Sequence, residues 1–136
     1  MKFRAAFCDP FKKDIIELGD IADDNIIGEY KKVRWSEILR SMEKKNHPSI
    51  YYSPSLEIQN KESKQGLEIS AVGSPDNIEF YVFYKRPKLV KIFFGLKEKM
   101  KENYTTDITG QTEKDVLDYL NALLNNDVDF LDNKIK

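Results

Sequence analysis

The sequence predicts an α+β domain in which an antiparallel β-sheet of about four to six strands, arranged as a meander, is packed by two or three α-helices. Three observations support this prediction. Apolar and polar residues alternate through much of residues 50–94, two other stretches repeat apolar residues at helical spacing, and the turns between the predicted strands are too short for parallel crossovers. The chain has 136 residues and no internal repeat or linker, so residues 1–136 are expected to form a single domain.

The first third of the chain contains short apolar stretches separated by polar ones. Alternation predicts a strand at 3–7, and the apolar residues of 12–18 predict a short helix. Residues 26–28 are interpreted as a strand or part of a bend. From 35 to 45, apolar residues recur at positions i, i+3, i+4 and i+7, which predicts a helix that ends before Pro48.

The centre of the chain is interpreted as the meander itself. Strands are predicted at 56–59, 67–72, 78–84 and 90–94, joined by a loop at 60–66, a turn at 73–77 and a connection at 85–88. Beyond it, residues 95–103 are interpreted as one or two helical turns and 104–110 as an edge strand. Thr112 and Asp115 then predict a capping box for a helix ending near Leu124, and the tail is expected to dock at least as far as Leu131.

Composition excludes several classes of function. One cysteine excludes a disulfide framework and a multi-thiolate zinc site, and a formal net charge of -1 excludes a histone-like protein. Cys8 is interpreted as a small buried hydrophobe, and His47 as an imidazole without a catalytic role. The glycines form no phosphate-binding motif, and the acidic residues are interpreted as solvated surface groups. We therefore expect no catalytic residue, no metal and no cofactor.

The N-terminus begins like a signal peptide, with basic and then apolar residues. The apolar run stops at Cys8 and charged residues follow, so no apolar core of a signal peptide forms. The sequence also contains no run of 18 apolar residues, the length needed for a membrane span. These patterns predict a cytoplasmic protein without a membrane partner.

Charge is segregated along the chain although the total is near zero. The segment from Lys85 to Lys101 is strongly basic, whereas Asp14 to Glu29 contains acidic residues and no basic one. A basic strip with aromatic neighbours is typical of nucleic-acid binding. However, nearby acidic residues repel phosphate, and the Lys and Arg side chains alternate between the two faces of the strands. We therefore expect no direct nucleic-acid contact and interpret the strip as solvated strand faces or as a steering surface for a protein partner.

The strand at 78–84 is aromatic on both faces. Tyr81 and Phe83 are expected either to be covered by a loop or tail, or to lie on an exposed sheet face and anchor a partner. Tyr51-Tyr52 is a second aromatic candidate of the same kind.

Three segments carry a resemblance: Ser53 to Ile58, Gly66 to Gly73, and Phe80 to Lys88. Over roughly residues 35–131 the chain resembles small bacterial immunity proteins of polymorphic-toxin and contact-dependent growth-inhibition systems. The resemblance implies a cytoplasmic, non-catalytic protein that binds a cognate toxin C-terminal domain and blocks its active site. It transfers no individual residue roles, and the near-neutral charge differs from the acidity of many nuclease inhibitors.

Partner-contacting residues are expected on one of two surfaces. The first contains Tyr81, Phe83, Lys85 and Arg86, and the alternative contains Asp23 and Asp24.

Two other functions stay open at this point. A small ligand- or peptide-binding module requires an apolar cavity, expected to be lined by Tyr51, Phe80 and Tyr84. An enzyme using carboxylates requires at least two buried acids that converge in a cleft with perturbed titration.

Overall fold

An open antiparallel sheet covered by helices on one face forms the fold of this protein. The computed structural model describes residues 1–44 and 49–136. The strands are β1 (Phe3–Cys8), β2 (Ile16–Ile21), β3 (Ser55–Asn60), β4 (Gly66–Ser74), β5 (Asn77–Ile92) and β6 (Lys97–Gln111). They lie in the order β2-β1-β3-β4-β5-β6, and every neighbouring pair is antiparallel. The α+β fold and the antiparallel sheet predicted from the sequence are confirmed.

The helices pack on a single face of this sheet. They are α1 (Ile26–Lys32), α2 (Trp35–Met42), α3 (Glu113–Leu124) and α4 (Val128–Lys134), with a short 3₁₀ turn at Asp23–Asn25 before α1. Their apolar residues meet alternate strand residues in one core. Its largest fully buried side chains are Tyr30, Tyr84, Phe3, Ile26, Leu56, Ile58, Leu67, Ile69, Leu120, Leu131, Ile135 and Val82. No helix in the described part of the chain is long and apolar enough to cross a membrane.

Two predictions in the first third are wrong. Residues 12–18 do not form a helix, because Ile16–Ile21 pairs with β1 as an edge strand and places Ile21 in the core opposite Phe3. An isolated helix of this length is marginal in water, so pairing with a neighbouring strand prevails. Residues 26–28 instead begin α1, because Ile26 and Tyr30, one helical turn apart, are both buried. The predicted end of the next helix, residues 45–48 with His47, lies outside the described residues.

One long hairpin of β5 and β6 replaces the separate strands predicted at 78–84 and 90–94 and the edge strand predicted at 104–110. Residues 85–88 are not a connection, since β5 continues to Ile92, and residues 97–103 belong to strand β6 rather than to a helical turn. Pro87 is accommodated where the register shifts between Arg86 and Lys88, a position that tolerates the loss of a backbone N–H. The chain reverses instead at 93–96.

The C-terminal helices follow the sequence signals closely. The Thr112 side chain accepts a hydrogen bond from the backbone N–H of Asp115, whose carboxylate accepts one from the N–H of Thr112, so the predicted capping box forms. The tail docks through fully buried Leu131 and further, because Ile135 is also fully buried.

Candidate binding surface on the open sheet face

Alternate residues of β5 point to opposite faces of the sheet. Val82 and Tyr84 lie in the core beneath the helices. Tyr81, Phe83 and Lys85 point to the opposite side, which we call the open face. Tyr81 is 37% exposed and Phe83 is half-buried. The structure thus brings together three of the residues that the sequence analysis selected.

A pair of carboxylates lies beside these aromatic residues. Glu57 of β3 is the direct cross-strand partner of Glu68 on β4, and Glu68 is in turn opposite Phe83 on β5. Burial raises the pKa of the Glu68 carboxyl, repulsion from Glu57 raises it further, and Lys85 partly opposes both. Like charges directly across a strand pair are destabilising, so this pair favours a cation near it.

Cys8 is adjacent to the same carboxylates at the end of β1. Burial raises the pKa of its thiol, and Glu68 and Glu57 raise it further. A thiol held protonated is a poor nucleophile and a poor metal ligand. Among the described residues, no group of three or more His, Cys, Asp and Glu side chains is arranged to hold a metal ion. The side chains that this face presents are the aromatic rings of Tyr81 and Phe83 and the charged groups of Glu57, Glu68 and Lys85.

Two residues of the open face, Glu57 and Glu68, were not selected in the sequence analysis. Glu57 alternates with the apolar residues Leu56 and Ile58, and that alternation assigns it to the face opposite the core. The sequence does not contain the register that places Glu57 opposite Glu68, because strand alignment depends on how the strands pair.

Arg86 does not belong to this surface. It lies on the helix-covered face at 5% exposure, with its guanidinium 4.2 Å from the Tyr84 ring centroid and 4.8 Å from that of Tyr104. It donates a hydrogen bond to Thr106 and forms a 3.1 Å ion pair with Asp132 of α4. The expectation that Arg86 is presented to a partner together with Lys85 is corrected, since successive strand residues face opposite sides.

Asp23 and Asp24 lie on a separate surface. Both are exposed on the 3₁₀ turn that follows β2. Because β2 is one edge of the sheet and β5 is next to the other, these acids are not brought together with Tyr81 and Phe83. They remain the alternative surface.

The cavity expected for a ligand-binding module does not form from the residues proposed for it. Phe80 and Tyr84 are buried in the core, whereas Tyr51 is 51% exposed on a connecting segment. A different groove, with a volume of about 520 Å³, lies between the β1–β2 hairpin and helices α1 and α2. Its apolar lining consists of Phe7, Phe11, Ile16, Leu18, Val33 and Ile38.

Comparison with known proteins adds no relative from which a function could be transferred. No protein-family description matches the chain, no curated protein sequence matches it, and no solved structure matches its fold at a significant level.

Proposed function

We propose that this protein is a toxin-neutralising immunity protein that binds a cognate toxin C-terminal domain through the open face and so blocks the toxin's active site. The structural observation that supports the proposal is a sheet whose helices all pack on one side while Tyr81 and Phe83 stand on the other. The identity of the partner comes from the resemblance to immunity proteins, which also places the proposed encounter in the cytoplasm.

The open face has the properties of an interface core. Aromatic residues contribute disproportionately to binding energy when they lie centrally and are held rigidly. Tyr81 and Phe83 project from a strand paired on both sides, so little conformational freedom is lost when a partner covers them.

The charges on this face indicate the chemistry of the partner. The half-buried Glu57–Glu68 pair repels itself and is countered only in part by Lys85. A basic side chain of the partner placed between these carboxylates relieves the repulsion and is desolvated as the interface closes. We therefore expect the toxin to present an apolar patch with a lysine or arginine at its margin.

Co-expression tests the proposal. The probe is the C-terminal domain of a large secreted protein encoded next to this gene, expressed in a heterologous bacterium with or without this protein. Wild-type protein is expected to restore growth, and the double variant Tyr81→Ser/Phe83→Ser to lose that ability. Tyr51→Ser tests the second aromatic candidate, an exposed tyrosine on the segment before β3, and is expected to protect fully because it lies outside strand β5. The absence of such a neighbouring gene, or no rescue by the wild-type protein, would contradict the proposal.

A second candidate, a non-catalytic module for a small apolar ligand or peptide, is favoured by the groove beside α2. Its volume of about 520 Å³ lies within the ~300–1,000 Å³ range typical of ligand sites. Binding of ANS, a fluorescent dye with apolar aromatic rings and one sulfonate, to the folded protein tests it, with Val33→Trp as the variant that fills the groove. Saturable binding that this variant weakens at least about tenfold supports the module, and unchanged binding contradicts it.

A further inference from the structure

The β5–β6 hairpin extends beyond the sheet. Strand β4 pairs with β5 only as far as Lys85, whereas β5 and β6 continue to pair with each other from Lys88 opposite Lys101 to Ile92 opposite Lys97. We call residues 87–103 the arm. At ~3.3 Å per strand residue, its paired part reaches roughly 15 Å past the body of the sheet.

The tip of the arm is apolar and exposed. Phe93 is 67% exposed, Phe94 is fully exposed and Leu96 is 88% exposed. Phe93 and Phe94 also have positive φ angles of 52° and 56°, a conformation that bulky residues rarely adopt. Asparagine or glycine suits such positions better, so the sequence places aromatic rings where turn formation disfavours them.

The two faces of the arm differ in charge. Cross-strand partners share a face, so Lys88 lies with Lys101, Val90 with Lys99, and Ile92 with Lys97. The four lysines of this face are Lys88, Lys97, Lys99 and Lys101, and none forms an ion pair within residues 1–44 and 49–136. The opposite face pairs exposed Leu89 with exposed Met100, and Lys91 with Glu98.

From this geometry we propose that the arm docks on an anionic phospholipid bilayer, with Phe93, Phe94 and Leu96 inserted at the interface and the lysine face against the headgroups. Aromatic and aliphatic side chains beside lysines are the composition of segments that bind the membrane interface. Each lysine close to an anionic leaflet adds attraction, which salt screens.

The side chains of the arm favour lipid over other anionic partners. Between Lys88 and Lys101 the chain contains lysine, one glutamate, glycine and apolar residues, with no Arg, Asn, Gln, Ser or Thr. Base edges are read mainly by paired hydrogen bonds from side chains such as Arg, Asn and Gln, and of the side chains that contact nucleic-acid phosphates this segment supplies only lysine. A convex apolar tip also requires a concave pocket in a protein partner, whereas a bilayer accommodates it without matched shape.

This inference differs from the expectation that the protein has no membrane partner, which rested on the lack of a spanning segment. Interfacial docking needs no such segment. The inference does not depend on the toxin proposal, because the arm and the open face are different surfaces.

Vesicle cosedimentation tests the inference. The full chain is mixed with large unilamellar vesicles of phosphatidylcholine containing 30 mol% phosphatidylglycerol, and with vesicles of phosphatidylcholine alone. We expect binding to the anionic vesicles that is at least about tenfold stronger than to the neutral ones and that weakens as salt is raised.

Variants separate the two parts of the arm. Asparagine adopts the left-handed conformation readily, so Phe93→Asn/Phe94→Asn is expected to retain the hairpin. Its affinity for anionic vesicles is expected to fall at least about tenfold. Leu96→Ser provides a second tip variant outside the two strained positions and is also expected to weaken binding. Lys97→Gln/Lys99→Gln/Lys101→Gln is expected to lower the affinity for anionic vesicles about fivefold per lysine. Ile15→Ser and Lys12→Gln/Lys13→Gln/Lys31→Gln alter exposed residues elsewhere and are expected to bind as wild type.

Two results would overturn the inference. One is wild-type protein that stays in the supernatant with anionic vesicles. The other is lysine-dependent binding that the tip variants do not change and that a 20-base-pair DNA duplex reproduces, which would identify a general polyanion contact.

Discussion

At the scale of single residues, the clearest feature is that two consecutive residues of β5 lie on opposite faces of the sheet. Lys85 belongs to the open face, whereas Arg86 is buried between two aromatic rings and ion-paired with Asp132. Arg86 therefore links β5, β6 and α4, and its contribution is to the stability of the fold.

Replacing Arg86 tests this role. Arg86→Met removes the ion pair and both ring contacts and leaves Asp132, whose side chain is 37% exposed, without its cation. We expect a loss of about 2–3 kcal/mol in the free energy of unfolding, measured by urea titration. Arg34→Met, at an arginine whose side chain is 77% exposed, is expected to change it by no more than about 0.5 kcal/mol. Equal effects of the two substitutions would contradict the structural role.

Glu68 gives a pH-dependent prediction. Burial and Glu57 raise its pKa above the ordinary value of 4.5, so the folded protein binds this proton more tightly than the unfolded chain does. The resulting stability is fully present below pH 4.5 and is lost as pH rises through the raised pKa. Glu68→Gln is therefore expected to be more stable than wild type at pH 7 by about 0.2–1 kcal/mol, and the difference to disappear below pH 4.5.

Thermal unfolding monitored by circular dichroism between pH 4 and pH 8 measures the stability difference between Glu68→Gln and wild type. Glu79→Gln is a matched control, because Glu79 is an exposed glutamate of β5. Its effect on stability is expected to be small, because the Glu79 side chain is exposed. A Glu68→Gln protein that is less stable than wild type at pH 7 would show that Glu68 is favourably paired instead.

At the scale of elements, strong local signals made α3 predictable. Its capping residues and apolar stripe are contiguous in sequence, so the helix is specified before any tertiary contact forms. Strand β2 and the arm could not be predicted in this way. In β2 a register shift interrupts the alternation of the apolar residues, and in the arm alternation predicted a strand at 90–94 but not its continuation from 78–84 or its pairing with residues 97–101. Pairing with a neighbouring strand decides both.

The cap of α3 gives a prediction at this scale. Thr112→Ala removes the side-chain acceptor for the Asp115 N–H and is expected to cost about 0.5–2 kcal/mol of unfolding free energy in urea titration. The hydrogen bond from the Thr112 backbone lowers the pKa of Asp115 below 3.8. The contribution of the Asp115 carboxylate to the free energy of unfolding is therefore present above pH 3.8 and is lost as pH falls through the lowered pKa. A Thr112→Ala protein as stable as wild type would contradict the cap.

The arm is expected to be dispensable for folding. Its exposed tip buries little surface, so replacing residues 88–101 by Asn-Gly is expected to change the unfolding free energy by no more than about 1 kcal/mol. Tyr84→Ala, which empties a fully buried site, is expected to cost about 3–5 kcal/mol in the same urea titration. A loss of that size on removing the arm would show that the arm belongs to the core.

At the scale of the whole molecule, alternation in the sequence predicted the antiparallel sheet, and apolar residues at helical spacing predicted the helices that cover it. It left open whether Tyr81 and Phe83 are covered, because that depends on which face the helices occupy. The fold resolves this by packing the described helices into the same core as Val82 and Tyr84, on the face opposite Tyr81 and Phe83. The Glu57–Glu68 pair required strand register, which no local pattern contains.

The most direct test of the central claim is the affinity of the purified protein for the C-terminal domain of the secreted protein encoded beside it, measured by isothermal titration calorimetry. The account predicts a one-to-one complex that Tyr81→Ser/Phe83→Ser weakens at least about tenfold and that Tyr51→Ser leaves unchanged. No complex with the wild-type protein, or a complex of equal affinity with the Tyr81→Ser/Phe83→Ser variant, would contradict it.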